Sequence, residues 1–177
     1  YMARITYLPS KKTSLYFQLR GEEQAKNQVE NITAIDFAVP SQKYTSILNL
    51  DSKIGSLSFR SRVQWSGYKQ SNGFTQGTAI VQDVSLDSKR VRLSTRYALF
   101  ETDDFENRQY VYEKDVLYAV SFPAYYGSGI RTYLIVQLKL GKQLDVWIRY
   151  ARTRYDGRTT ISSGLEEIQG NVIEEVK

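Results

Sequence analysis

The chain has 177 residues, no His and no Cys, and 24 Lys and Arg against 19 Asp and Glu, which gives a formal net charge of +5. The absence of Cys excludes disulfides, thiol nucleophiles and zinc–thiolate sites. The absence of His excludes Ser-His-Asp and Cys-His catalytic centres and removes the commonest metal ligand. We therefore expect no catalytic site, no metal site and no cofactor. No apolar run is long enough for a transmembrane helix.

Apolar and polar residues alternate along most of the chain, which is typical of strands with one apolar and one polar face. Leu57, Phe59, Val63 and Trp65, for example, alternate with Arg60, Arg62 and Gln64. The polar stretch 21–31 has no apolar stripe and is interpreted as a surface loop. The predicted strands, in chain order, are Met2–Leu8, Ser14–Glu22, Tyr44–Leu50, Ser56–Tyr68, Phe74–Leu86, Arg90–Glu101, Thr132–Leu140, Leu144–Tyr155 and a last one that begins at Val172.

Strand length and loop length point to one architecture. Several predicted strands have ten or more residues, and a tilted strand needs about nine to eleven residues to cross a bilayer. Short turns are predicted near residues 9–13, 51–55, 87–89 and 141–142, and long connections at residues 23–41, 102–130 and 156–171; the short reversal at residues 69–73 is the exception. This alternation is typical of an outer-membrane barrel. The predicted fold is an all-β, antiparallel transmembrane β-barrel that forms one domain over residues 1–177.

Residues 102–130 include a segment, Tyr110–Phe122, that could be interpreted as a further membrane-crossing strand. If Tyr110–Phe122 crossed the membrane as a further strand, the turn at residues 141–142 would fall on the side of the long loops. Interpreting residues 102–130 as one long outer excursion restores the alternation. Within it, Tyr110–Phe122 is predicted to be an ordered loop hairpin or an inward-folded segment.

The C-terminal half contains RYALFETDDFENRQYVYEKDVLYAVSFPAYYGSGIRTYLIVQLKL followed by GKQLDVWIRYARTRYDGRTTISSGLEEIQGN. This sequence resembles the C-terminal part of the members of a family of Bacteroidota-type outer-membrane β-barrel proteins. Precursors in that family often carry helix-hairpin-helix segments ahead of the barrel. The resemblance implies no catalytic residues, and DNA binding is not carried over because no such segment is visible here. Family members usually continue with a short strand that ends in an aromatic residue, whereas this chain ends EEVK. Together with about nine strands, an odd number, this suggests the C-terminal portion of a larger barrel.

The polar faces of the strands are predicted to line the barrel lumen. Its candidate lining residues are Arg60, Arg62, Arg92, Arg96, Asp145 and Arg149, and Arg131, Lys139, Glu22 and Asp83 belong to the same faces. One interpretation is a basic conduit that favours anionic solutes. The other is an interior held by structural Arg–carboxylate pairs, which polar barrel cores need whether or not they transport.

Aromatic residues near strand ends are predicted to form interfacial girdles, with a sugar-stacking platform as the alternative. They are Trp65, Tyr97 and Tyr150, together with Tyr7, Tyr16, Tyr68 and Tyr155. Arg152 and Arg154 share the apolar register of Ile148 and Tyr150. We expect them to lie above the apolar band and to contact lipopolysaccharide phosphates. Nucleic-acid binding and a solvated loop base are the alternatives.

The expected function is a non-enzymatic outer-membrane β-barrel protein of a Gram-negative cell envelope. It would act as a pore, a surface-binding barrel or a subunit of a larger envelope complex, and the sequence does not separate these three. The expected partners are outer-membrane lipid, lipopolysaccharide and other envelope proteins, but not nucleic acid. The alternative is a soluble all-β binding module, such as a lipocalin-like barrel or a carbohydrate-binding sandwich, in which the apolar faces would point inward and the arginines toward water.

Overall fold

The computed structural model describes residues 1–27, 38–71, 73–141, 143–161 and 167–177. Nine strands form one antiparallel sheet in the order β1-β2-β3-β4-β5-β6-β9-β10-β13. They are β1 (Met2–Ser10), β2 (Thr13–Asn27), β3 (Ala38–Ile54), β4 (Leu57–Gln70), β5 (Gly73–Asp87), β6 (Val91–Thr102), β9 (Ser128–Lys139), β10 (Asp145–Tyr155) and β13 (Val172–Val176). The prediction of an all-β, antiparallel fold is confirmed. Among the described residues, no helix has the length and apolar character needed to cross a bilayer.

Connections between neighbouring strands alternate in length between the two ends of the sheet. Residues 11–12, 55–56, 88–90 and 140–144 connect strands at one end, which we call the short-turn end. At the opposite end, the long-connection end, residues 103–127 join β6 to β9 and residues 156–171 join β10 to β13. Residues 71–72 join β4 to β5 at this same end, so the predicted exception is present. Residues 28–37 and 162–166 of the predicted long loops lie outside the described residues.

Strands β2 and β3 extend well beyond their predicted bounds, so the interpretation of residues 21–31 and 23–41 as loops is wrong for the described part. Their ladder continues from Gly21↔Tyr44 through Gln24↔Ser41 to Asn27↔Ala38. Backbone hydrogen bonds stabilise a strand pair whatever its side chains, so a polar extension carries no alternating signal. Apolar residues such as Ala25 and Val39 are mixed with polar ones on both faces of this part of the hairpin.

The two faces of the sheet differ sharply in composition. A row of large apolar residues crosses seven neighbouring strands on one face, which we call the apolar face: Ile5, Phe17, Leu48, Val63, Ile80, Leu99 and Ile130. Most of this row is exposed; Ile5 is 74% exposed, Leu48 46% and Ile80 51%. The opposite, polar face carries Arg62, Arg96, Arg131 and Arg149. The sheet thus exposes large apolar side chains on one face, while Arg96, Arg131 and Arg149 are buried on the other.

The sheet is open at both edges. β1 pairs only with β2 and β13 only with β10 among the described strands, so no ladder joins the two edges. Every residue of β1 is exposed. Each edge therefore presents unpaired backbone groups to which another strand can add.

Residues 103–127, which we call the inserted segment, fold back over the polar face. A single 3-10 turn, Phe105–Asn107, precedes β7 (Gln109–Tyr110), which pairs with β8 (Ala124–Tyr125). A further bridge joins Glu113 to Ser121. Apolar residues of this segment pack on strand residues in one buried cluster, which comprises Ala79, Val81, Ala98, Phe100, Val111, Tyr125, Tyr155 and Ile161. Ile161 belongs to β11 (Thr160–Ile161), which pairs with β12 (Ile168–Gln169).

The 3-10 turn approaches β5 so closely that only glycine fits beneath it. A Cβ atom on Gly77 would lie 2.7 Å from the carbonyl oxygen of Asn107. We expect Gly77→Ala to lower the free energy of unfolding by about 1–3 kcal/mol through overpacking, and to speed tryptic cleavage at Arg108. Gly73→Ala, on the same face of β5, is the matched control because its Cβ would have its nearest contact at 3.6 Å. Equal urea stability of the two variants would contradict this packing.

Candidate functional site: a buried charge cluster on the polar face

Glu113 of the inserted segment is the centre of a buried charge cluster, and its side chain is inaccessible to solvent. It accepts two hydrogen bonds from Arg131, from Nε to Oε1 at 2.8 Å and from Nη2 to Oε2 at 2.9 Å. Arg149 Nη2 donates to Oε2 at 2.7 Å, and the Tyr125 hydroxyl donates to Oε1 at 2.9 Å. Since a carboxylate has about four acceptor positions, its hydrogen-bonding capacity is filled. Glu113 thereby attaches the inserted segment to β9 and β10 with charge-assisted bonds.

A second ion pair lies beside this centre. Arg96 Nε and Nη2 donate to the two Asp83 oxygens at 2.6 and 2.7 Å. The same guanidinium donates to the Tyr112 carbonyl oxygen of the inserted segment at 2.8 Å. On the sheet, Asp51, Arg60, Asp83 and Arg96 are successive cross-strand neighbours, so that acid and base alternate over β3, β4, β5 and β6. Opposite charges in facing positions stabilise a sheet, and here they also hold the segment above it.

Residues near the C-terminal end complete the cluster. Glu175 of β13 lies 3.1 Å from Arg131 Nη1 and 3.3 Å from Arg149 Nη1. Lys177 Nζ lies 2.6 Å from Asp115, whose Oδ1 is 3.7 Å from Arg149 Nε. The cluster then holds four basic groups (Arg96, Arg131, Arg149, Lys177) and four carboxylates (Asp83, Glu113, Asp115, Glu175). Its charge is balanced, which buried ions require.

The pKa values of Glu113 and Asp115 are both lowered, so these two carboxyl groups stay ionised. Burial acts to raise the pKa of Glu113, but hydrogen bonds and charge from Arg131 outweigh it and hold that pKa below its usual value. For Asp115, burial is likewise outweighed, chiefly by the hydrogen bond from Lys177, and the pKa is lowered. Burial and then the charge of Glu113 raise the pKa of Tyr125, so its hydroxyl remains a donor.

The inserted segment is expected to detach only in strong acid. A carboxyl whose folded pKa is depressed contributes stability above its unfolded pKa, about 4.3 for Glu and 3.9 for Asp, and this contribution is lost as the pH falls through the folded value. We therefore expect the fluorescence of Trp147, which lines a cavity with Asp115, to stay constant from pH 8 to about 5 and to change below about 4. The measurement uses a Trp65→Phe background. A midpoint above pH 5, or the same transition in Glu113→Gln, would contradict the assignment.

Two cavities flank the inserted segment on the polar face. The larger, about 420 Å³, lies between the segment and β2, β3 and β4, near the long-connection end. The smaller, about 250 Å³, lies against β6, β9 and β10 toward the short-turn end and includes Arg92, Lys114 and Gln137. The inserted segment separates the two. Both cavities are lined mainly by polar side chains.

The structure places all six predicted lumen residues on the polar face. They are Arg60, Arg62, Arg92, Arg96, Asp145 and Arg149. Each has a partner: Arg60 pairs with Asp51 at 2.6 Å and Arg92 with Asp87 at 2.8 Å. Arg62 donates to the Tyr16 hydroxyl at 2.9 Å. Asp145 accepts from the Gln137 amide at 3.1 Å, and the other two belong to the charge cluster. The face therefore holds paired arginines rather than a row of free positive charges.

Trp65, Tyr97 and Tyr150, predicted for an aromatic girdle, lie on the apolar face. Trp65 is half-buried and Tyr97 is 49% exposed. The Tyr150 hydroxyl donates to Glu174 at 2.9 Å. Each of the three thus projects from the side of the sheet that carries Ile80.

The girdle prediction is wrong for Tyr16, Tyr68 and Tyr155, because they occupy the alternate positions of their strands. Arg4 stacks 4.3 Å above the Tyr16 ring, and Tyr68 is buried against the larger cavity. Tyr155 packs edge-on against Phe100, with ring centroids 5.9 Å apart. The face on which a tyrosine lies is decided by its place in the alternation of residues along the strand, and not by its distance from the strand end.

Arg152 and Arg154, predicted to contact lipopolysaccharide, project from the apolar face of β10 on the long-connection side of Ile148 and Tyr150. Their side chains are 48% and 61% exposed. Arg152 Nε lies 3.5 Å from Glu174. Both guanidinium groups therefore retain open donors.

Sequence reasoning missed the acidic members of the cluster other than Asp83. Glu113 and Asp115 lie in a stretch without strand periodicity, and Glu175 lies near the end of the chain. One signal could have found them. Arginines on a covered face need carboxylate partners, and YEKD supplies two carboxylates at the middle of residues 102–130.

The ion pairs of this arrangement attach the inserted segment to β9 and β10. Within the described part of the chain, no group of three or more Asp and Glu side chains is placed to hold a metal ion. Compared with models of known protein families, with curated proteins and with solved structures, the chain gives no significant match.

Proposed function

We propose that the chain forms part of the wall of an outer-membrane β-barrel whose interior is occupied by the inserted segment, and that it acts as a surface-binding barrel rather than as an open pore. The observation that carries the proposal is the inversion of the two faces. Large apolar side chains cover the exposed face, whereas the covered face carries Arg96 and Arg149, which are 3% and 0% exposed.

The exposed apolar area is too extensive for a water-facing surface. Monomeric soluble proteins rarely expose contiguous apolar patches above a few hundred square ångströms. Here the apolar row crosses seven strands, and further rows follow it, such as Leu134 with Tyr150 and Val136 with Ile148. Lipid is the environment in which such a face is stable. A soluble module would orient these faces the opposite way.

On β10 the apolar residues of this face stop before the long-connection end, because Ile148 and Tyr150 are followed on the same face by Arg152 and Arg154. Arg152 and Arg154 then lie beyond the apolar band at the long-connection end, where lipopolysaccharide phosphates would be their partners.

The inserted segment argues against free diffusion through this part of the barrel. It contacts the polar face from one edge region of the sheet to the other. Its Glu106 pairs with Lys26 of β2, and its Asp115 pairs with Lys177, the residue after β13. Ion pairs and buried apolar packing hold the segment against the sheet. Long connections of such barrels face the exterior, so the larger cavity would open outward.

The open edges fit a barrel completed by additional strands. β1 and β13 both present unpaired backbone groups, and a bilayer does not tolerate unpaired edges. Further strands of the same polypeptide, or of a partner envelope protein, would close the ring.

Extraction of the native, untagged protein from cell envelopes tests the proposal. We expect it to resist a high-salt wash, to dissolve in detergent, and to run faster on a gel before heating than after heating. Release by salt alone, without a heat-dependent shift, would overturn the proposal and favour the soluble all-β binding module.

A further inference from the structure

Most of the side chains that line the larger cavity carry polar groups. β2 and β3 contribute Arg20, Glu22, Lys26 and Lys43, β4 contributes Gln64 and Tyr68, and the inserted segment contributes Glu106, Arg108, Gln109 and Tyr110. Its volume, about 420 Å³, falls in the range of small-molecule sites, about 300–1,000 Å³. Because this lining offers many hydrogen-bond donors and acceptors, we expect a ligand of this cavity to be hydrophilic.

The charges of the cavity favour an anionic ligand. Four cations (Arg20, Lys26, Lys43, Arg108) face two carboxylates (Glu22, Glu106), an excess of two positive charges. Both carboxylates are occupied: Arg20 pairs with Glu22 at 2.8 Å, and Lys26 with Glu106. Lys43 Nζ has only the Glu106 carbonyl oxygen, at 2.5 Å, as a hydrogen-bond acceptor among the described residues. An ammonium group has three donors, so Lys43 can bind a further acceptor.

Two buried acceptors in the same cavity need donors. Gln64 is 7% exposed and Gln109 is fully buried, and the Oε1 atom of each has no hydrogen-bond partner among the described residues. The Gln109 amide nitrogen is already engaged, donating to Ser66 Oγ at 2.6 Å and to the Asn107 carbonyl at 2.8 Å. An unpaired buried acceptor has a cost in stability, because it has lost its hydrogen bonds to water without replacing them. A ligand that donates hydrogen bonds here would remove that cost.

We propose that this cavity binds an acidic oligosaccharide, whose carboxylate meets Lys43 and whose hydroxyl groups donate to Gln64 and Gln109. A sugar hydroxyl both donates and accepts, and an oligosaccharide carries several of them, whereas hydrogenphosphate (HPO4²⁻) has one hydroxyl and can donate to only one of the two amide oxygens. This inference rests on the proposed function, in which the cavity lies within the barrel and opens at the long-connection end.

Calorimetry on the full native protein in detergent tests the inference, with trigalacturonate as the probe and maltotriose and inorganic phosphate as comparisons. We expect trigalacturonate to bind at least tenfold more tightly than either. Lys43→Met should weaken it about tenfold or more, since hydrogen bonds to charged groups are the stronger ones, and Gln64→Leu about two- to tenfold. Lys53→Met, on the same strand and face but exposed at the short-turn end, is the matched control and should bind like the unmodified protein.

Each alternative result overturns the inference. If phosphate binds as tightly as trigalacturonate, the cavity is a simple anion site. If maltotriose binds as tightly as trigalacturonate, the carboxylate does not contribute to binding. No binding of any probe, or equal losses in the two lysine variants, would also reject it. Heat-modifiability of every sample reports the fold separately. A detergent-dependent, heat-modifiable protein that fails to bind would reject the saccharide site alone, whereas release by salt would reject the barrel.

Discussion

Replacing Glu113 with glutamine is expected to lower the free energy of unfolding by about 3–5 kcal/mol, because it removes the negative charge shared by two buried arginines. The substitution keeps the shape of the side chain, so the loss measures charge rather than volume. Arg131 and Arg149 would remain covered, 4% and 0% exposed, with Glu175 as a partial partner. Urea unfolding in detergent, followed by tryptophan fluorescence, measures the change.

The matched control for this variant is Glu101→Gln. Glu101 is exposed and projects from the apolar face at the end of β6. Its loss should change the stability by no more than about 0.5 kcal/mol. Limited proteolysis adds an independent readout, since Arg108 and Lys114 of the inserted segment should be cleaved faster only in Glu113→Gln. If both glutamine variants unfold at the same urea concentration, the charge cluster does not hold the segment.

The second large effect is expected from a charge on the apolar face. Leu134 is 41% exposed in the middle of β9. In a bilayer, Leu134→Arg should cost about 2–4 kcal/mol, the penalty for arginine near the midplane of a barrel. Reversible urea unfolding in phosphatidylcholine bilayers measures it. In a water-facing sheet the same change should cost no more than about 0.5 kcal/mol.

Leu144→Arg is the control that separates two causes of lost stability, the depth of the arginine in the bilayer and the loss of a leucine side chain. Leu144 is 55% exposed and lies in the turn between β9 and β10, at the short-turn end. Near the interface the cost of arginine falls to about 0–1 kcal/mol. A larger loss for Leu144→Arg than for Leu134→Arg would contradict a membrane level at the middle of β9.

The strands could be predicted because their side chains alternate. Leu57, Val63 and Trp65 on one face against Arg60 and Arg62 on the other define β4 almost to its ends. The same argument applied to the turn at residues 141–142 predicted that residues 102–130 lie outside the main sheet, and residues 103–127 do. Where alternation stops, the prediction failed, because β2 continues to Asn27 through pairs in which polar and apolar residues do not alternate between the two faces.

The charge cluster could not be predicted in the same way. Glu113 meets Arg131 and Arg149, which lie 18 and 36 residues further along the chain, and no local pattern encodes such contacts. Periodicity assigned the arginines to the polar face but said nothing of what covers it. Only the fold-back of the inserted segment brings the carboxylate to them.

The two tryptophans of the chain provide the most direct test of the proposal, because they lie on opposite faces. Trp65 projects from the apolar face, whereas Trp147 lies on the polar face beside Tyr133 and Ile135. In bilayers that contain brominated lipids, single-tryptophan variants should differ. Trp147→Phe, which retains Trp65, should be strongly quenched, and Trp65→Phe, which retains Trp147, should not. Stronger quenching of Trp147, or no quenching of either, would contradict a lipid-facing apolar surface.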